Sequence, residues 1–456
     1  MGLPQLRRVP GPAPVPRRPK IVPRTDLRQA KTVESSFSDP AFTENRGSGI
    51  HRWVPWIAGF SAAFVTEAIR KHAPDGGLIV DPFAGVGTTL LETVRRGVAY
   101  DAVGFEINPY AAFATEVKLE AVSLPTAEVR RAIDRFRKGA PTTAPASAPP
   151  GFRSRIPFYS PRVLPKVLRV LGWIQQMKSP PLRRLFSVAF GSVMVRFSNY
   201  TYEPSLTSRP AVDKPLIEDA DVYGIIAEKL DQMTSDIVAF QRDCPALARG
   251  TVYAKSWASA EEVFDEGSIH LIVTSPPYAN NYHYLRNTRP QMYWLGFAAS
   301  PKDFEVIENS SFGKFWQTVR DLPPIPLNLD FPELEATLEE LRGLNTHKGH
   351  YGGGGWANYL ATYFNDSYEF LKRMRRLLAP GGVAVIVIGN SIVQGLDFRT
   401  DEILAHLAES DEVRLTVENL VVAREKRVGN SIVNSSVRNG AASTATLYES
   451  ILTLRR

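Results

Sequence analysis

The chain has 456 residues, 44% of them hydrophobic and 22% charged, and a formal net charge of +7. That balance belongs to a globular protein and excludes a wholly disordered chain, a collagen and a coiled-coil rod. The basic surplus leans toward an anionic partner, and a single cysteine, Cys244, excludes an internal disulfide and a Cys-rich zinc site.

Residues 1–46 are expected to form a disordered, basic, Pro-rich arm, either solvated or lying on a phosphate backbone. The start carries arginines but no apolar segment of the secretory kind, so with one cysteine the expected compartment is a reducing cytoplasm. Uncharged apolar runs such as GLIV and VAVIVIG fall far short of the ~18–20 residues that span a bilayer, so no membrane partner is expected.

Order is expected from residue 47. SAAFVTEAIRKH has helical spacing, GLIVD (77–81) reads as a buried strand, and PFAGVGTT is a Gly-containing loop opening the helix TLLETVRRG. AYDAVGFE (99–106) is a second strand and NPYAAFATEVK a second helix, the opening of a doubly wound α/β sheet. Residues 121–249 show no strand alternation and read as a helical insertion. It contains a linker, TTAPASAPPG (142–151), and a long amphipathic helix with Val222, Ile226, Leu230, Met233, Ile237 and Phe240 on one face. Cys244, beside this helix in Asp243-Cys244-Pro245, reads as a packed thiol.

Strands resume at 250–254 and 269–274, followed by an irregular insertion at 279–355 that ends in a flexible loop, GHYGGGGW. A helix runs from ANYLATYF to the Pro-Gly-Gly stop at Pro380, then strands at 383–389, 413–423 and 445–454, the last two antiparallel. The total is seven strands. Residues 47–120 and 250–456 carry the two halves of the sheet, and 121–249 or 279–355 are left free to recognise a target. Arg130, Arg131, Arg183 and Arg184 are candidate phosphate contacts there. Arg424, Lys426, Arg427 and Arg438 crowd the loop between the last two strands, fitting either a phosphate-contacting loop or a solvated hairpin.

Three motifs carry chemistry. Asp81-Pro82-Phe83-Ala84-Gly85-Val86-Gly87-Thr88-Thr89 sits where a strand ends and a helix opens, the crevice in which open α/β sheets bind ligands. Glu106, at the end of the second strand, can accept hydrogen bonds from both hydroxyls of a ribose. Position 90 is Leu, so the third glycine of a dinucleotide fingerprint is missing. Thr274-Ser275-Pro276-Pro277-Tyr278 follows a strand. Its two prolines remove two donors and fix two φ angles, leaving a rigid row of carbonyls beside the Ser275 hydroxyl. Such a row suits an exocyclic amino group, and Tyr278 offers a face on which a flipped-out base can stack.

In this order the motifs resemble those of the S-adenosylmethionine-dependent DNA amino-methyltransferases, of the cytosine-N4 and adenine-N6 type. The resemblance covers about 47–120 and 250–456, with HRWVPWIAGFSAAF (51–64) similar to the family's segment that helps hold the methionine end of the cofactor. It implies an α/β, seven-stranded mixed sheet of the class I methyltransferase (Rossmann-like) type with a helical insertion. It implies S-adenosyl-L-methionine held by Asp81, Phe83, Ala84, Gly85, Gly87, Thr88, Glu106 and Thr274. It implies a catalytic set of Ser275, Pro276, Pro277 and Tyr278, no metal, and double-stranded DNA with base flipping as the partner. Restriction or defence-system subunits are possible further partners. Ser-Pro-Pro-Tyr leans toward cytosine N4. Adenine N6, an amino group in RNA, or a non-catalytic recognition subunit are the alternatives.

Two departures bear on cofactor recognition. The family often has Gly-Asp where this chain has Ala254-Lys255-Ser256, and an Asp near the start of the catalytic strand where this chain has His270. Other chemistries lack their residues. No cysteine lies in a catalytic context for C5 methylation, no H-x-x-x-H or H-x-E pattern serves zinc, and no P-loop is present. Asn280, Asn281, Tyr282, His283, Tyr284 and Arg286, just after the third motif, either line the base path or cap a helix.

Overall fold

The computed structural model describes residues 37, 40, 45, 47–56, 59–203, 205–244, 246–280, 284–426 and 447–456. The amino-terminal arm, Asn281 to His283, Arg427 and Arg438 lie outside the described residues.

Strands β1 (Gly77–Asp81) and β2 (Tyr100–Phe105) precede a short hairpin, β3 (Tyr200–Tyr202) and β4 (Leu206–Ser208). Then come β5 (Arg249–Tyr253), β6 (Ile269–Thr274), β7 (Leu378–Gly389), a second short hairpin of β8 (Ser391–Val393) and β9 (Leu396–Phe398), β10 (Thr416–Lys426) and β11 (Leu447–Arg455). Seven of them form one sheet in the order β10-β11-β7-β6-β1-β2-β5. β1 pairs in parallel with β2 and β6, β2 with β5 and β6 with β7, while β11 runs antiparallel between β7 and β10. This is the α/β, Rossmann-like methyltransferase fold. The strand order reverses at β1, with β2 on one side and β6 on the other, so a crevice opens at the carboxyl ends of these strands.

Helices cover both faces because the parallel strands are apolar on both faces. In β1, Ile79 packs with Phe64, Val65, Ala68 and Ile69 of α1 (Ala62–His72). The next residue, Val80, points to the opposite face, as strand alternation requires, among residues of the later helices. α2 (Thr88–Val94) and α3 (Pro109–Ala121) follow β1 and β2. Asn108 starts α3 by accepting from the Tyr110 and Ala111 amides, with Pro109 at the first turn.

α4 (Thr126–Gly139), α5 (Leu164–Gln176), α6 (Pro180–Val193) and α7 (Val222–Asp243) build the helical insertion. All six apolar residues expected on one face of α7 are buried. They share one core with Tyr110, Ala111, Ala114 and Val117 of α3 and with Ile50 and Trp53. The insertion is therefore continuous with the sheet's own helix layer. α8 (Tyr284–Trp294), α9 (Pro301–Asn309), α10 (Trp316–Val319), α11 (Pro332–Gly343) and α12 (Gly353–Leu377) follow β6, and α13 (Thr400–Ala408) precedes β10. Among the described residues no helix is long and apolar enough to cross a membrane.

The structure corrects several expectations. Residues 121–249 are not free of strands, since the β3–β4 hairpin lies within them. The Pro- and Ala-rich segment at 142–151 is not a free linker: the Ala146 amide donates to the Leu168 carbonyl, and Gly172 of α5 packs against the Ala144 carbonyl. GHYGGGGW is not a loop throughout, because Gly353 opens α12 against the Leu341 carbonyl, where a Cβ would sit 1.6 Å from the oxygen. β10 starts three residues later than expected, and the β8–β9 hairpin was not foreseen. Cys244 is buried, as a packed thiol should be. Arg184 of α6 pairs with Glu120 at the end of α3.

Phe186, fully buried between the insertion and the core, is a test of that continuity. Phe186→Ala is expected to lower stability by about 3–5 kcal/mol. Urea unfolding should remain a single transition by far-ultraviolet circular dichroism and tryptophan fluorescence. Two separated transitions would show the insertion to be an independent unit.

Candidate active site

The Asp81 side chain organises the crevice. It is buried where β1 ends, and its carboxylate accepts three hydrogen bonds: from Thr274 Oγ1 (2.7 Å), Thr89 Oγ1 (2.7 Å) and the Phe83 amide (3.0 Å). The first motif is thereby fastened to the start of the third, which lies on the neighbouring strand. Burial pushes the Asp81 carboxyl up to about 6, against those three hydrogen bonds.

The glycine loop turns through two left-handed residues, Gly85 (φ 51°) and Gly87 (φ 84°). A Cβ on Gly87 would also lie 2.6 Å from a methyl of Thr115, so only glycine fits. α3 holds the loop from below. Thr115 Oγ1 donates to the Gly85 carbonyl at 3.0 Å, and Lys118 Nζ to the Val86 carbonyl at 2.8 Å. Lys118 is 1% exposed, and burial pulls its ammonium down to about 7. Trp56 stands over Gly85, with Nε1 3.0 Å from where a Cβ would be.

Glu106 faces the loop across the β1–β2 step. Its Oε2 accepts from the Gly85 amide (2.8 Å) and its Oε1 from the Asn108 amide (2.7 Å). Each oxygen keeps a second lone pair. Burial pushes this carboxyl up to about 7, opposed by the two amides and reinforced by the Asp81 charge.

A cavity of about 410 Å³ opens between the motifs. Phe83, Gly85, Glu106, Ser275, Pro277 and Tyr278 line it. Asp81, Ala84, Gly87, Thr88, Thr274 and Pro276, expected at the same site, are buried behind its wall. The Pro277 carbonyl accepts from Tyr363 of α12 (2.9 Å). Tyr278 donates its hydroxyl to Glu449 Oε1 (3.1 Å), and Ser275 shares a hydrogen bond with the same phenol. Phe312 closes the far side, edge-on to Phe83 (5.3 Å) and Tyr363 (5.4 Å). Trp56, Phe312, Tyr363 and Glu449 were not singled out as site residues from the sequence. Trp56 alone carried a signal, through the 51–64 segment that contains it.

The two departures have different outcomes. Lys255 and Ser256 do line the cavity, and the Lys255 ammonium is paired with Glu262 at 3.0 Å. His270 lies at the opposite end of β6 from Thr274, and its Nδ1 accepts the Leu78 amide at 3.1 Å. It fastens the amino ends of β6 and β1 and does not face the cavity.

Two carboxyls held above their ordinary range give a pH signature. A raised acid favours its protonated form in the fold, so stability falls as pH rises from the unfolded value through the folded one. For Glu106 that window runs from about 4.5 to about 7. In Glu106→Gln, thermal melts of the ligand-free protein should decline less across that window than in the wild type. An unchanged slope would place the titrating group elsewhere.

Among the curated relatives that align with the chain are three type II methyltransferases. The type II methyltransferase M.AvaI of Nostoc sp. is 22% identical over 451 residues, 91% of this chain and 88% of that protein. The type II methyltransferase M.BsoBI of Geobacillus stearothermophilus is 22% identical over 304 residues, 60% of this chain and 57% of that protein. The type II methyltransferase M.MjaII of Methanocaldococcus jannaschii is 31% identical over 77 residues, 17% of this chain and 14% of that protein. The chain thus matches little more than half the length of M.BsoBI and a small part of M.MjaII. No family model matches. Among solved structures, the rRNA methyltransferase aviRa from Streptomyces viridochromogenes aligns over 94% of this chain and 96% of that one, with 10% identity and a TM-score of 0.29. The strand order and the similarity to proteins named as type II methyltransferases together support a methyltransferase.

Proposed function

We propose that this chain transfers a methyl group from S-adenosyl-L-methionine to the exocyclic amino group of a flipped base in double-stranded DNA, with N4 of cytosine as the acceptor. The observation that carries this reading is a pair of buried carboxylates at one cavity: Asp81 ties the glycine loop to the start of the Thr-Ser-Pro-Pro-Tyr loop, and Glu106 accepts from the Gly85 amide of the same glycine loop. Alignment with type II methyltransferases along most of the chain supports DNA as the substrate.

The residues fit the cofactor. The cavity has the volume of a small-molecule site. Glu106 keeps two lone pairs for the ribose hydroxyls, and Gly85 presents bare backbone beneath Trp56. When bound, the sulfonium supplies an electrophilic methyl group. The protein's work is then to position the nitrogen in line with it and to exclude other geometries. Ser275 orients the amino group, kept in place by the rigid Pro276-Pro277 backbone, and Tyr278 stacks on the base. The amino proton leaves to Ser275 or to water. Asp81, Ala84, Gly87, Thr88, Thr274 and Pro276 shape the loops from behind.

Gly85→Val should block cofactor binding, and Glu106→Ala should weaken it by about 1–3 kcal/mol through the lost ribose contacts. Wild-type affinity should fall as pH drops through about 7, where Glu106 takes up a proton. Calorimetry at several pH values reads all three effects, and unchanged affinity in both folded variants would refute the cofactor assignment.

The base is decided by nucleoside mass spectrometry of DNA from a host expressing the gene, with methylome sequencing to locate the site. N4-methylcytosine is expected, lost in Ser275→Ala with cofactor affinity retained. N6-methyladenine would overturn the base assignment alone. Methylation of RNA but not DNA would overturn the substrate.

A further inference from the structure

Tyr278 is held from behind by three adjacent strands at one level of the sheet. Gly389 ends β7, and its register partner on β11 is Glu449. The register partner of Glu449 on β10 is Arg424, placed there by a shift between Val422 and Arg424. Directly paired residues project to the same face, and a bulge re-aims the side chain that follows it. The contacts follow the register. Arg424 Nε donates to Glu449 Oε2 at 2.8 Å, and Tyr278 donates to Glu449 Oε1 at 3.1 Å. Glu449 is 8% exposed, so its charge is neutralised inside the protein by Arg424. Behind the ring, a Cβ on Gly389 would lie 3.0 Å from Tyr278 Cε2 and 3.3 Å from Cδ2. The ring thus rests on bare backbone while its hydroxyl is anchored, and the residue still lines the cavity.

We infer that Gly389, Glu449 and Arg424 are positioning residues that fix the Tyr278 ring as a preformed stacking face for the target base. This rests on the DNA methyltransferase reading above. A free tyrosine would have to be ordered when the base arrives, at a cost in side-chain entropy. Here the ordering is already done by the fold. The inference also gives a role to Arg424, which the sequence left between a phosphate-contacting loop and a solvated hairpin: its guanidinium meets Glu449.

Steady-state kinetics on unmethylated duplex DNA, with cofactor affinity measured separately by calorimetry, provides the test. Glu449→Ala and Gly389→Ala should each lower kcat/KM for DNA about tenfold, the scale of one lost stacking contact. Cofactor affinity should stay within about twofold of the wild type, since neither residue meets the cofactor side of the cavity. Glu449→Gln, which keeps an acceptor, should recover part of the loss. In a Tyr278→Phe background, which has no hydroxyl to anchor, Glu449→Ala should have little further effect. A general loss of folding would instead lower cofactor affinity together with DNA turnover and would add to Tyr278→Phe. Wild-type kinetics in folded Glu449→Ala, or additive effects in the double variant, would overturn the inference. An inactive wild-type chain would overturn the function itself.

Discussion

One buried carboxylate holds the site together. Asp81 ends β1 and is 1% exposed, and two hydroxyls and an amide satisfy it. Burying a carboxylate this way is costly unless its acceptor sites are filled. Two of the three donors, Thr89 and the Phe83 amide, belong to the glycine loop and helix that follow, and the third, Thr274, to the strand next door. The geometry needed to satisfy the charge is therefore also the geometry that sets the two loops side by side. Removing either threonine would leave a buried acceptor short and loosen the link between them.

The charges around this centre are arranged in depth. Lys118 reaches under the loop to the Val86 carbonyl, and His51 meets Glu92 of α2 at 2.8 Å, with burial holding the imidazole below its usual range. Thr66 of α1 donates to the same Glu92. The segment before the loop, the helix after it and α3 are thus tied by buried and partly buried polar contacts. None of these groups lines the cavity, so they hold the shape of the loop and leave the chemistry to the residues in front.

What could be read from the sequence was local. GLIVD followed by Gly85 and Gly87 marks a strand, a tight turn and a helix within thirteen residues' reach, and the threonine-serine-proline-proline-tyrosine run is stiff by composition. Strand positions followed from apolar runs, which is why the seven-stranded sheet was expected, although β7 begins at Leu378 and takes in the Pro-Gly-Gly segment that read as a stop before it. What escaped depended on contacts between distant segments. Nothing in a Pro- and Ala-rich stretch signals that Ala146 will meet Leu168. Four glycines read as a loop, yet Gly353 is needed where α12 starts hard against α11. Gly389 and Glu449 look like ordinary strand residues until the register of β7, β11 and β10 puts them behind Tyr278. The same holds for His270, which stood out as a departure bearing on cofactor recognition and whose partner proved to be the Leu78 amide.

The neighbours β2 and β5 carry a consequence for how the molecule assembles. Phe105 pairs with Tyr253 in the sheet, and the whole helical insertion lies between them in the chain. The Glu106 amide, at the edge of the cavity, donates to the Tyr253 carbonyl and cannot do so until that loop has closed. Closing a long loop costs entropy before any contact repays it, and non-local pairings of this kind slow folding. During synthesis, the glycine loop and β2 emerge well before their flanking strand, so the first half of the sheet waits with an open edge on a nascent chain. Such an edge is exposed to mispairing and aggregation. The helical insertion that spans this long loop packs onto α3 in the finished fold, so the chain between the two paired strands is itself folded against the sheet's helix layer.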